Sequence, residues 1–288
     1  MPNFVVIDPL YYQKHGKDTL RFAHYNERNT RHNWSKHVTK AALRDLISNP
    51  ARSEQVRHTQ ENQFILHGPE SRQRQALEAY IAYKFHQTHN AEITEYMPIL
   101  LEMTANDKTQ AALGLRPGRY KPMFLEQYLD APIEQKIAEL AKGPVDRYTL
   151  MEIGNLVVTR PGAGLLLFVM MAISIAEAGY QWMTFTATPE VTRLIRRLGF
   201  EPLYLADANP DAINGGTKKW GGYYDRQPLV MAGSLEKAMA VMRDNPTLKT
   251  ISIEYTTQIK ALSNTLINLK HQSFLESTTR NITANTDG

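Results

Sequence analysis

From Met151 to Ala178 the sequence passes from an aliphatic run through a glycine turn into an apolar helix, and few folds accommodate that passage. Met151-Glu152-Ile153-Gly154-Asn155-Leu156-Val157-Val158 reads as part of a strand over 148–159. Arg160-Pro161-Gly162-Ala163-Gly164 is a turn, and 165–178 a helix stopped at Gly179. The strand at 182–188, the helix at 189–198 and the strand at 200–206 follow. This order implies an α/β domain with a mixed sheet whose strands are buried on both faces. A glycine pair that opens a helix leaves backbone N–H groups free for phosphate oxygens, and Arg160 stands beside it. Gly162 and Gly164 would equally serve a tight turn and close helix packing. No Gly-Lys-Ser/Thr follows, so the turn is not a P-loop, and no third glycine completes a dinucleotide fingerprint.

The flanking sequence divides around this core. Strands are expected over 4–7 and 19–25 and a helix over 34–47, followed by a polar, linker-like stretch over 51–69 that ends in Gly68-Pro69. Arg74, Leu77, Ile81 and Phe85 mark one face of a helix over 71–86. Strands are expected over 93–103 (broken by Pro98), 111–116 and 123–129, with a turn at 104–108 and a short helix at 132–140. A Gly- and Asn-rich loop covers 207–222, and a last strand 229–232. Beyond it lies a helix over 235–242. Ile251, Tyr255, Ile259, Leu262, Leu266 and Leu269 then form a stripe that packs on the core or on a second subunit. The expected organisation is a small N-terminal α+β segment (1–65), a core domain (70–233) and a helical C-terminal extension (234–288) with a frayed tail.

Composition narrows the chemistry. The 288 residues include no cysteine, which excludes a disulfide scaffold, a thiolate zinc site and a cysteine nucleophile. His86 and His89 are three apart without further ligands nearby, so no metal site is expected. Residues 1–60 carry ten Lys/Arg against five Asp/Glu, so the rest of a chain of net charge +4 is slightly acidic. That basic segment is either a solvated surface or a contact for an acidic carrier protein, an anionic membrane or nucleic acid; nucleic acid is not the expected partner. The start lacks a basic region followed by a long apolar one, and the apolar run 161–176 is shorter than the roughly 20 residues of a membrane span. A soluble cytoplasmic protein is the expectation.

The strand-turn-helix resembles the GNAT acyltransferase superfamily, as does Leu198-Gly199-Phe200 at the end of the helix over 189–198. The resemblance implies a GNAT-like mixed, mostly antiparallel sheet flanked by helices. The superfamily's Arg or Gln three residues before the first glycine is here Thr159, with Arg160 one residue on. A closer resemblance, over roughly 71–233, is to the bacterial thermostable hemolysins. It is carried by Gly114-Leu115-Arg116, Phe124-Leu125-Glu126-Gln127-Tyr128-Leu129-Asp130, Glu152-Ile153-Gly154-Asn155-Leu156, Phe185-Thr186-Ala187-Thr188 and Trp220-Gly221-Gly222-Tyr223-Tyr224-Asp225. Acyl-homoserine-lactone synthases are similar at greater distance, through Arg116 and Glu152. They differ in carrying Ser-Arg where this chain has Gly154-Asn155.

These resemblances imply an N-acyltransferase that takes its acyl group from coenzyme A or an acyl carrier protein and delivers it to an amine. Fatty acyl donors are favoured, since a surface-active lipid product would account for the hemolysin name. On this reading Glu152 is general base and Tyr224 protonates the departing thiolate. Glu126, Arg116 and Asn155 contact substrate. The N–H groups of Val157 and Val158 hold the thioester carbonyl, and Arg160, Gly162 and Gly164 hold phosphate. Structural alternatives stand beside each: an ion pair of Glu152 with Arg116 or Arg147, an edge-strand charge at Glu126, a bulge brace at Asn155 and packing aromatics at Tyr223 and Tyr224. Two rival functions remain, a directly membrane-lytic protein using the 251–269 stripe and a non-catalytic binding protein. The same stripe offers a homodimer contact.

Overall fold

A computed structural model describes residues 5–7, 62–120, 122–160, 162–213 and 219–284. The expected strand at 19–25 and helix at 34–47 lie outside them. The first strand, β1 (Val5–Ile7), is followed by β2 (Gln63–His67), α1 (Arg74–His89), β3 (Ile99–Ala105), β4 (Lys108–Pro117), α2 (Ile133–Ala141) and β5 (Leu150–Val158). Next come α3 (Ala163–Glu177), β6 (Trp182–Ala187), α4 (Pro189–Arg197), β7 (Leu203–Asp207) and β8 (Leu229–Ser234). Three helices close the chain: α5 (Leu235–Asp244), α6 (Pro246–Glu254) and α7 (Thr256–Ala284).

The strands form one sheet in the order β2-β3-β4-β5-β6-β8-β7, with β1 added to β5. β5 pairs in parallel with β6 and β1, and every other pairing is antiparallel. The mixed, mostly antiparallel sheet expected from the sequence is therefore present. Asn106 and Asp107, both at positive φ, turn β3 into β4, a two-residue hairpin that suits residues tolerant of the left-handed region. The stretch read as a polar linker contributes β2. Its His67 is buried, with Nε2 2.9 Å from Glu102 on β3 and Nδ1 3.0 Å from Ser71 before α1. Those bonds, with Phe64 and Leu66 packed against the core, hold the strand at the sheet edge.

Each face of the sheet carries a core. α1, α2 and the 3-10 turns cover one, where Leu77, Ile81 and Phe85 of α1 are buried as their spacing predicts. α3 covers the other and is itself roofed by α5, α6 and α7, which is why it is apolar on nearly all sides. The 251–269 stripe makes that roof: Ile251, Ile259, Leu262 and Leu266 are buried in the same cluster as α3. Of the two packings open to it, the buried members of the stripe take the core. Lifting the helix out would expose side chains worth about 1.5–3 kcal/mol each. Among the described residues no helix is long and apolar enough to cross a membrane.

Candidate active site

The sheet forks at β5. β4 lies along one edge of β5, from Met151 to Val158. On the other edge β6 pairs only over Leu150–Glu152, opposite Trp182–Thr184, and then follows β8 to Ala187. The parting has a local cause. Gly154 faces Gly114 and Val157 faces Ala112, so β5 carries one extra residue between the pairs, with Asn155 at φ 51°. Such a bulge bends its strand. It is held from the α1 side, where Oδ1 of Asn155 accepts the N–H of Met97 at 2.9 Å. Nδ2 of Asn155 is buried without a partner among the described residues. β1 occupies the freed edge, with Val5, Val6 and Ile7 opposite Leu156, Val157 and Val158. The backbone of Val157 and Val158, expected to hold a thioester carbonyl, is thus already part of a strand pairing.

Beyond Val158 the chain turns through Gly162, at φ 76°, into α3. A Cβ on Gly164 would stand 3.2 Å from Val158, so this glycine brings the helix against the end of β5. The first-turn N–H groups of α3 therefore begin where the fork opens. Arg160 extends toward the C-terminal helices: Nη2 donates to Asn62 at 2.9 Å, and Asn62 donates to Tyr255 at 2.8 Å.

The stretch 123–129, expected as a strand, is instead a 3-10 turn over Phe124–Tyr128. Buried carboxylates override the strand pattern. Oε2 and Oε1 of Glu152 accept the N–H groups of Phe124 and Leu125 at 3.0 and 2.9 Å. Glu126 accepts from the N–H groups of Met123 and Ile133 and is held by Arg147, which also meets Glu134 and the Gly118 carbonyl. Burial works against the charge of Glu126, but Arg147 and those N–H groups keep its carboxyl below the ordinary range. Both oxygens of Glu126 are committed within the protein. Glu152 is fully buried, and burial pushes its carboxyl up against the pull of Arg116 and the two N–H groups. Nε of Arg116 lies 3.8 Å from it. An arrangement in which each oxygen holds a backbone N–H suits positioning better than proton shuttling.

Tyr224 sits in a 3-10 run over Gly221–Arg226, its hydroxyl 2.6 Å from that of Tyr128. Burial pushes both phenols well up, so both stay protonated at neutral pH, and Tyr128 also feels the charge of Glu152. Glu152, Arg116, Tyr128 and Tyr224 thus share one neighbourhood near the base of the fork, whereas Glu126 and Arg160 are turned to other partners. Sequence reasoning passed over Tyr128 and Gly114. An isolated glycine inside a strand signals a bulge or a close approach, and Gly114 shows the latter. Next to Arg116 opens a cavity of about 590 Å³, walled by Phe124, Trp220, Tyr96 and Ile213, with Lys219 and Glu95 also in its lining. That volume is in the range of small-ligand sites.

Comparison with known proteins adds the following. A family model described as thermostable hemolysin matches residues 67–239. No curated protein matches the sequence. Among solved structures, the chain is similar to a CoA-dependent acyl-homoserine lactone synthase, BjaI, with SAM and isopentyl-CoA (TM-score 0.45, 12% identity, 67% of this chain and 89% of that one). It is also similar to FeeM, an N-acyl amino acid synthase from uncultured soil microbes (0.44, 11%, 62% and 93%), and to the AHL synthase LasI (0.43, 8%, 61% and 91%). At these scores the likeness is one of general outline.

Proposed function

We propose a function from a plain premise: the chain belongs to the thermostable hemolysin family. The function is N-acyl transfer from an acyl thioester to an amine. The observation that carries it is the fork, where β5 leaves β6 after Glu152 at a left-handed bulge and runs into the Gly162–Gly164 turn and the head of α3. In the slot between the parting strands β1 pairs with the β5 edge, while the edge of β6 beyond Thr184 has no strand pairing on that side among the described residues and could receive an extended amide chain, with helix N–H groups for the phosphates beyond it. Coenzyme A and carrier-protein arms both have that form.

In the reaction the neutral amine nitrogen attacks the thioester carbonyl carbon. The C–N bond forms, the C–S bond breaks, the nitrogen gives up a proton and the thiolate takes one. Tyr224, kept protonated by burial and paired with Tyr128, supplies the thiolate's proton and recovers the amine's. Backbone N–H groups at the bulge stabilise the oxyanion. Glu152 serves as a positioning residue for Arg116 and the Phe124–Tyr128 turn. A long acyl chain would make the product surface-active, and the packing of the 251–269 stripe of α6 and α7 into the core favours lysis by product over lysis by that stripe.

The test is thermal melting with coenzyme A, acetyl-CoA and palmitoyl-CoA, followed by thiol release on adding amines. Donor at 100 times its dissociation constant adds about 2.7 kcal/mol of stability, or roughly 5–10 °C for a reversible transition of a chain this size. Absence of any shift, with acyl carrier protein also failing to transfer its acyl group, would defeat the reading.

A further inference from the structure

We propose that the cavity beside Arg116 takes an acceptor amine that also bears a carboxylate, namely an α-amino acid with an apolar or aromatic side chain. This rests on the acyl-transfer reading above and names the acceptor class for it.

The opposite preference, for a cationic amine, would need Glu126 and Glu152 to face the ligand. The structure closes both carboxylates to a ligand. Glu126 is committed to Arg147 and to two backbone N–H groups, and Glu152 holds the N–H groups of Phe124 and Leu125. What the cavity offers is a cation. Arg116 is 17% exposed, with Nη1 on the Pro122 carbonyl at 3.2 Å and Nε toward Glu152 at 3.8 Å. Its Nη2 has no partner among the described residues. A guanidinium steadied from behind by a buried carboxylate, with one arm free in a cavity, is preorganised for an incoming carboxylate.

The charges of the wall fix the class further. Among the described residues lining it, the charged groups are Arg116, Lys219 and Glu95, and Lys219 sits 3.5 Å from Glu95. Over the described lining residues the sum is one positive charge, before the Glu152 carboxylate 3.8 Å from Arg116 is counted. Near neutral pH an amino acid is a zwitterion of net charge zero and its decarboxylated counterpart a cation, so only the amino acid brings a carboxylate to Arg116. A simple ammonium ion meets Arg116 as a like charge, and a phosphate dianion brings more charge than the wall balances, with Glu95 opposing it. The uncharged wall is mixed: Phe124, Ile213 and Trp220, each less than a tenth exposed, stand beside Gln127 and the phenols of Tyr96 and Tyr120. Its apolar members suit a hydrophobic side chain. With a long acyl donor the product would be an anionic amphiphile.

The experiment measures equilibrium binding to the full chain without acyl donor, using ligand pairs that differ only in the carboxylate. Phenylalanine is compared with 2-phenylethylamine, and leucine with isoamylamine. In at least one pair the amino acid is expected to bind at least about tenfold more tightly, a difference of about 1.4 kcal/mol. Arg116→Lys, which keeps the charge but loses the fork, should narrow that gap. Since Arg116 also faces Glu152, the wild-type pairs decide the matter should the variant fold poorly. Equal or tighter binding of the decarboxylated amines overturns the inference, as does the absence of binding by all four at millimolar concentration. Donor binding is measured separately. Amino-acid binding without donor binding would keep the cavity assignment and defeat acyl transfer. Donor binding with preference for the plain amine would do the reverse.

Discussion

Oε1 of Glu152 accepts the backbone N–H of Leu125 at 2.9 Å, so a fully buried carboxylate on β5 fixes a turn 27 residues earlier in the chain. Its second oxygen does the same for Phe124. The turn forms part of the cavity wall, and the same carboxylate faces Arg116.

Glu152→Gln therefore tests a positioning role. A glutamine offers one acceptor oxygen, and its NH₂ group would meet the second N–H donor. The variant should lose about 2–4 kcal/mol of stability, from an unsatisfied buried donor and an unpaired Arg116. Acyl transfer should fall through KM for the acceptor as well as kcat, while the shape of the pH–rate profile stays the same. Loss of one limb of that profile, with stability unchanged, would instead make Glu152 the base.

Gly114 and Met97 provide a test of the fork itself. A Cβ on Gly114 would lie 2.5 Å from Cβ of Met97 and 2.8 Å from Oδ1 of Asn155. Neither neighbour can move freely, because the Met97 N–H is bonded to that same Oδ1. Gly114→Ala should cost about 2–4 kcal/mol by overpacking and bulge strain, and should weaken donor binding. Gly143→Ala is the control, since nothing stands within 4 Å of its added Cβ, and should change stability by less than about 0.5 kcal/mol. Thermal melts of the two variants decide it.

Much of this arrangement was legible in the sequence, and the residues show why the rest was not. The passage from Met151 to Ala178 gave strand, turn and helix because aliphatic content and glycine placement are local signals. Phe124–Tyr128 misled because its strand-like composition is overruled by two carboxylates, one of them distant in sequence. β2 was hidden because Gln63–His67 sits at a sheet edge and alternates weakly, its place secured by His67 and Glu102. Glu152 and Arg116 were picked out as a pair of residue types. That Glu152 turns inward while Arg116 keeps one arm in the cavity depends on tertiary packing.

The occupied edge of β5 gives a further prediction. β1 pairs with Leu156–Val158, on one side of the slot that the extended arm of a donor would enter. A chain lacking residues 2–8 should bind donor more tightly, since three residues of strand pairing no longer compete. A gain of about three- to tenfold corresponds to one or two net hydrogen bonds. Titration of both chains with the same thioester checks it. Equal affinity would mean that donor and β1 use different edges.

His89 sets a pH dependence of stability that can be worked out in sign. Burial first, then the charge of Arg226, lower its pKa from 6.5 to about 4. Its Nε2 is buried without a hydrogen-bond partner among the described residues, and its ring packs edge-on against Tyr223 at 5.4 Å. Between about pH 4 and 6.5 the unfolded chain binds a proton at this position that the folded chain refuses. Stability contributed by the neutral ring is therefore complete above pH 6.5 and is lost as pH falls toward 4. Allowing for the ring's partial exposure, the loss is about 1–2 kcal/mol. His89→Phe keeps an aromatic ring against Tyr223 and has no proton to take up. Its melting temperature, compared with that of the parent, should show a difference that moves in the variant's favour as pH is lowered from 6.5 to 4. Parallel curves over that range would mean that His89 is protonated in the folded chain without penalty.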